Sequence, residues 1–495
     1  MIEAAAASFH DQPPRRTGLR DPVLAIAALV ALGFLAVAGQ ALRLALSGAG
    51  GSPRAQLAEP IVQIYARPDL VDRKGRLLAT DLPSHSLFAD PLLVVDPDEA
   101  SERLAAIFPD LDAADLRAQF VDKNRRFVWI KRGLPPATAQ RIHDLGLPGV
   151  AFRTEPKRVY PQGRLAGHVL GSVSIDNRGL GGIERYVDET LGLETGYSTD
   201  YARPPVTLTL DTGAQHGLEE ELSLALARYG ASGAAGVIMD VKNGAVLAAA
   251  TLPDVDPGRP GEALLDDRTD RLGMATYELG SVLKVFTVAM ALDHGIAGPA
   301  TVIDVRVPLQ VGRWTIRDSA PSGRPLTVRE VLVQSSNIGV AHLALSAGAH
   351  RQRAFLSRLG LLDPMRWEAG PLGQPRLPER WGEVETATIA YGYGIAISPL
   401  QFAGAAAALV NGGIKVRPHL VEYLPGIVPT AGPGERVVAA ETSARINEML
   451  RRAVAGSNGT GRRAEVAGFE VGGKTGTAEM AARGGYKSRS VVASF

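Results

Sequence analysis

The sequence predicts an α+β protein in three parts: a membrane-spanning helix, a mixed α/β module, and a larger module with strands at both ends and helices between. Three observations carry this. A charge-free apolar run lies near the N-terminus. The stretch "GYSTDYARPP" (Gly196–Pro205) divides the remainder of the chain in two. The second half opens on alternating apolar runs, passes through helical periodicity, and returns to alternating runs before Phe495.

The apolar run "VLAIAALVALGFLAVAG" (Val23–Gly39) extends to Leu42, about 20 residues, which at ~1.5 Å per residue is about one bilayer core. Arg15, Arg16 and Arg20 precede it, and Arg43 and Arg54 follow, a weak bias for a cytoplasmic N-terminus. Ala36-Val37-Ala38 leaves a cleaved signal peptide as the alternative. Either reading sends the residues after about 45 across the membrane. The expected divisions are a tail (1–21), the span (22–42), a linker (43–60) containing "SGAGGSPR", a first module (61–203) and a second (204–495). The first mixes alternating runs such as "SLFAD" with helical ones such as "DEASERLAAIF". The second opens with "VTLTLD", a helix from Thr212 to Tyr229, and two β-rich runs flanking "KNG", a hairpin signal. Helices are expected from Tyr277 to about Asn411, and strands again at "FEVGGKTGTAE" and "SVVASF". Strands from both ends suggest one sheet with a helical region between.

Composition narrows the functions. A net charge of +1 gives no field for nucleic acid. The absence of cysteine removes disulfides, thiolate catalysis and Cys-based zinc sites, and no H-E-x-x-H is present, so no metal or cofactor is expected.

"GFEVGGKT" (Gly468–Thr475) fits the phosphate-loop pattern G-x-x-x-x-G-K-[ST]. A phosphate loop needs a long helix and further β-α units after it. The residues after Thr475 include "ARGGYKSRS" and supply neither. Beyond the membrane there is also no nucleotide pool for such a loop to use.

The same lysine fits another chemistry. In "YELGSVLKVFTVAMALDHG", Ser281 precedes Lys284 by three residues, one face of a helix start. A helix N-terminus favours an oxyanion at Ser281. Val282, Leu283, Val285 and Phe286 surround Lys284, disfavour its ammonium and lower its pKa, so that a neutral amine can take the serine proton. Alone this pairing is weak, since a capping Ser and a surface Lys are common. Ser335-Ser336-Asn337 in "VQSSNIGVA" and Lys474-Thr475-Gly476-Thr477 in "GGKTGTA" complete the ordered set S-x-x-K, S-x-N, K-T-G of penicillin-binding proteins and β-lactamases.

On these motifs the chain resembles a class B penicillin-binding protein, a peptidoglycan D,D-transpeptidase, of the septal FtsI-like type. The resemblance also covers "ARPDLVDRKGRLLAT", "RVYPQGRLAGHVLG", "GLGGIERYVDETL", "LTLDTGAQHGLEEEL" and "YGYGIAISPLQFAGAAAALVNGG". It implies a pedestal (dimerisation-type) domain, then a transpeptidase domain with an antiparallel sheet, helices on both faces and a helical subdomain. Ser281 would attack the carbonyl between two D-alanines of a stem pentapeptide, with Lys284 as base. Ser335 would relay a proton between Lys284, Lys474 and the leaving amine, and Asn337 would orient the substrate amide. The N–H groups of Ser281 and Thr477 would form the oxyanion hole. Thr475 and Thr477, aided by Lys474, would bind the terminal carboxylate, and Gly476 would let substrate lie close. Penicillin and other β-lactams would acylate Ser281. Arg67, Asp72, Arg73, Arg158 and Glu184 would hold the two modules together. Implied partners are a lipid-II glycosyltransferase and division proteins in the inner membrane, with the catalytic domain in the periplasm.

Leu279 stands where many relatives have Pro, and Val282-Leu283 where Thr-Phe is common. Relatives continue past "ASF", so the last sheet strands and final helix are expected to be missing and the chain to be a fragment that folds poorly or is inactive. The competing readings are an elongation-specific transpeptidase, a β-lactamase, a β-lactam sensor and a non-catalytic division scaffold.

Overall fold

The computed structural model describes residues 20–46, 67–192, 204–424, 434–482 and 485–495. The expected tail up to residue 19, most of the linker and most of the Gly196–Pro205 boundary lie outside the described residues. The apolar run forms helix α1 (Arg20–Leu46). Its stretch Leu24–Arg43 has a mean hydropathy of 2.2 and buries none of its surface, as an anchor requires. No other helix among the described residues is long and apolar enough to span.

Residues from Ile64 onward form a second compact unit. Strands β1 (Leu70–Val71) and β2 (Leu77–Ala89) come first. Helices α2 (Pro97–Ile107) and α3 (Ala113–Val121) begin at Asp96 and Asp112, whose carboxylates accept backbone N–H bonds as N-caps. They are followed by β3 (Val128–Leu134), α4 (Pro136–His143) and β4 (Val150–Val159). β2 pairs antiparallel with both β3 and β4. Alternation puts Leu87, Ala89 and Ile130 inward against Leu104, Phe108, Leu116 and Phe120 of the helical layer.

Helices α5 (Gly167–Leu170) and α6 (Gly182–Leu191) close this module. Behind them Arg67 and Arg158 both grip Glu184, at 2.8 and 2.7 Å. Arg67 also meets Asp188 at 2.5 Å, and Arg158 meets Asp81 at 3.2 Å. All five side chains are buried. Arg67, Arg158 and Glu184 therefore pair within the first module, not across the boundary as the sequence suggested. Asp72 does cross: its Oδ2 accepts from the N–H and hydroxyl of Thr212, at 3.2 and 3.0 Å. The Arg73 N–H reaches the Leu210 carbonyl at 3.0 Å.

The second module adds β5 (Val206–Leu208), which pairs parallel with β1 and so carries the first module's sheet across the boundary. Asp211 caps α7, which spans Thr212–Tyr229 as its periodicity indicated. The hairpin β6 (Ala234–Met239) and β7 (Val246–Leu252) turns through "KNG". Helix α8 (Lys284–Asp293) runs through the core, buried from Lys284 to Leu292. The expected run of helices is interrupted by short strands: β8 (Val302–Ile303), β9 (Leu309–Val311), β10 (Trp314–Ile316) and β11 (Leu326–Thr327). Pro299, Pro308, Pro321 and Pro325 break helical bonding there. Helices α9 (Val328–Val333), α10 (Asn337–Ala347), α11 (Ala349–Arg358) and α13 (Pro399–Val410) pack on α8, and α12 (Glu383–Ile389) packs on α10 and α11. Strand β12 (Val421–Tyr423) pairs with β5, and α14 (Ala440–Ala455) packs on α13. Strands β13 (Gly476–Ala482) and β14 (Gly485–Ser494) form the last hairpin. Among the described residues β6–β7 and β13–β14 are two separate ladders rather than the single sheet expected.

Candidate active site

Gly280 starts the site. Its φ of +60° suits glycine, and a Cβ there would lie 2.5 Å from the Thr477 carbonyl oxygen. The chain therefore turns tightly against β13 before a single 3₁₀ turn, Gly280–Leu283, runs into α8. Ser281 sits in that turn, half-buried, and Lys284 opens the helix below it. Val282 and Leu283 anchor the turn in the core.

The second motif is the break between α9 and α10. Ser335 has φ +63°, a conformation few non-glycine residues adopt. Ser336 caps α10, accepting from the Gly339 N–H at 2.9 Å and donating to Asp318 Oδ2 at 2.6 Å. The amide of Asn337 donates to the Arg317 carbonyl at 2.9 Å.

Lys284 ties these motifs together. Its Nζ donates to the Ser335 carbonyl at 2.5 Å and to the Ser335 hydroxyl at 3.0 Å. Only 1% of Lys284 is exposed. Burial, with the charge of Lys474 adding to it and that of Asp318 opposing, brings its pKa down to about 7. Near neutral pH such an amine can therefore exchange its proton.

The third motif opens β13. Lys474 is buried, which lowers its pKa to about 8, and it donates to the Thr475 carbonyl at 2.8 Å. The Thr475 hydroxyl donates to Thr460 Oγ1 at 3.1 Å. A Cβ on Gly476 would lie 2.6 Å from the Leu279 carbonyl, so this strand and the Ser281 turn are packed backbone to backbone. The carbonyl of Thr477 faces Gly280, and the N–H of a strand residue points the same way, so the Thr477 N–H is turned toward the Ser281 side. Two expected links are absent among the described residues: no hydrogen bond joins Ser281 to Lys284, and the bond made by Lys474 goes to Thr475 rather than Ser335. "GFEVGGKT" runs directly into strand β13 of an antiparallel hairpin, where a phosphate loop would open a helix, so the motif does not form one.

Comparison with known families decides the assignment. The penicillin binding protein transpeptidase domain matches residues 234–495, and the penicillin-binding protein dimerisation domain matches residues 65–201. The chain belongs to the penicillin-binding protein transpeptidases.

Among relatives of this penicillin-binding protein, the "Probable peptidoglycan D,D-transpeptidase FtsI" of Caulobacter vibrioides is 38% identical over 84% of this chain and 69% of the relative. The peptidoglycan D,D-transpeptidase FtsI of Escherichia coli strain K12 is 31% identical over 84% of this chain and 73% of its own. Penicillin binding protein 2X from Streptococcus thermophilus shares the fold with a TM-score of 0.66 at 20% identity, covering 87% of this chain and 74% of that one. The fold class and family read from the sequence are borne out, and a transpeptidase domain of this kind acts on peptidoglycan and binds β-lactams.

Sequence reasoning missed several residues of this penicillin-binding protein's site. Asp318 and Arg317 lie in no motif and reach the site only through the β9–β10 hairpin. Thr460 meets Thr475 across a loop. Gly392 allows the close approach behind Gly280, where a Cβ would lie 2.0 Å from the Gly280 carbonyl. "YGYG" was the one local signal for it.

Proposed function

We propose that this protein cross-links peptidoglycan stem peptides at the division septum through an acyl-enzyme on Ser281. Ser281 Oγ attacks the carbonyl between the two terminal D-alanines while its proton passes to the neutral Lys284 amine. The N–H groups of Ser281 and Thr477 hold the oxyanion, a role worth ~10²–10³ in rate per donor. The C–N bond breaks, the terminal D-alanine leaves with a proton relayed through Ser335, and the acyl group stays on Ser281. The amine of a second stem peptide then attacks, an amide forms, and the serine recovers its proton. Asn337 orients the substrate amide. Thr475, Thr477 and Lys474 take the carboxylate, with Gly476 leaving room for close approach. A β-lactam follows the first half of this sequence and stops there.

The observation that carries this reading is the buried amine of Lys284, at a pKa of about 7, held on Ser335 one turn below Ser281. Septal work is supported by the relatives named FtsI. On this reading α1 anchors the protein in the inner membrane with residues 204–495, the catalytic domain, in the periplasm. The pedestal of residues 61–203 and the helix meet a lipid-II glycosyltransferase and division proteins. The test has two arms. Mass mapping of the penicilloyl adduct should find it on the Ser281 peptide, and an adduct elsewhere contradicts the mechanism. A fluorescent fusion should gather at the constriction site, and an even distribution along the side wall contradicts the septal role.

A further inference from the structure

The Ser335 turn is held from behind. Its backbone lies in a sparsely populated region, so neighbouring contacts must fix it. Those contacts converge on the segment after β10. Asp318 accepts from the Ser336 hydroxyl through Oδ2 at 2.6 Å and from the Ile338 N–H through Oδ1 at 2.9 Å. The Arg317 carbonyl next to it holds Asn337 at 2.9 Å. Ser336 is itself buried. One carboxylate thus clamps both sides of Asn337, at the first turn of α10, where the helix dipole also favours a negative charge.

We infer that Asp318 is a positioning residue of the transpeptidase site: its carboxylate locks the Ser335–Asn337 turn and lends negative charge to the pocket of the Lys284 amine. This rests on Lys284 acting as the base. Two charged groups act on Lys284 among the described residues. Lys474, two residues before β13, disfavours its ammonium, and Asp318 favours it. The carboxylate therefore does two jobs that can be separated. As an anchor it keeps the Ser335 carbonyl and hydroxyl on the amine. As a charge it keeps Lys284 from losing its proton too early to bind and return one during the cycle.

The test is the pH dependence of acylation by a fluorescent penicillin, measured on the full chain in membranes. Asp318→Asn should slow acylation about tenfold or more, the scale of a lost charge-assisted hydrogen bond. It should also move the acid limb of the profile to lower pH, because the Lys284 ammonium loses a favourable charge. Ser336→Ala removes the anchor but keeps the charge, so it should slow acylation with the limb in place. Asp318→Glu should restore the limb. A limb left unmoved in Asp318→Asn overturns the inference. Partial misfolding lowers the amplitude without moving the limb, so the readout survives an unstable variant. If the parent labels but shows no acid limb at all, Lys284 is not the base, and the reading beneath this inference falls with it.

Discussion

Lys284 must be dry enough to lose its proton near neutrality and anchored enough to stay beneath Ser281. Its folded pKa of about 7 lies below the ordinary 10.5, so the neutral fraction grows as pH rises. Acylation should therefore climb through about pH 7 and level off above it. A rate flat from pH 5 to 9 would contradict the assignment. The same shift bears on stability. Between about 7 and 10.5 the unfolded chain holds a proton that the folded one lacks, so stability rises with pH across that window. At and below its lower end the buried group costs about 5 kcal/mol. Lys284→Met should raise the unfolding temperature at pH 7, read by calorimetry, while abolishing acylation. A lowered midpoint would show that the bonds to Ser335 outweigh the burial cost. The sequence displayed this residue openly, since apolar neighbours on both sides announce a desolvated lysine. It hid Asp318, which has no pattern of its own and matters only because a hairpin folds back onto the α9–α10 break.

At the scale of elements, the site is a meeting of two backbones. Gly280 and Gly476 let the Ser281 turn and β13 touch without side chains between them. Gly280→Ala would add strain at positive φ and push Thr477 away, so acylation should fall by at least ~10²-fold, the cost of one misplaced oxyanion donor. Near-parental labelling would show that β13 can yield. In the first module, Arg67→Ala would leave Glu184 and Asp188 short of a buried partner and should destabilise by about 3–5 kcal/mol, measured in a urea titration. Local signals served well here where a cap and a period agreed, as at Asp211 and α7. They failed where partners are set by topology. Nothing near Arg67 says that its carboxylates lie beyond residue 180 in the same module, and nothing in "VTLTLD" says that β5 will pair parallel with β1.

For the whole molecule, the first module's sheet does not stop at the boundary. β1 pairs with β5, β5 with β12, and Asp72 reaches Thr212. Residues 64–495 should therefore unfold in one transition, with circular dichroism and penicillin labelling lost together, whereas two separated steps would show modules that fold independently. The apolar helix should keep the chain in the membrane fraction after a high-salt wash. The most direct measurement remains labelling of this chain in membranes with a fluorescent penicillin, beside its Ser281→Ala variant. The account predicts a covalent band for the parent and none for the variant. An equal band in the variant would remove Ser281, and with it the acyl-enzyme mechanism, from the centre of this protein's function.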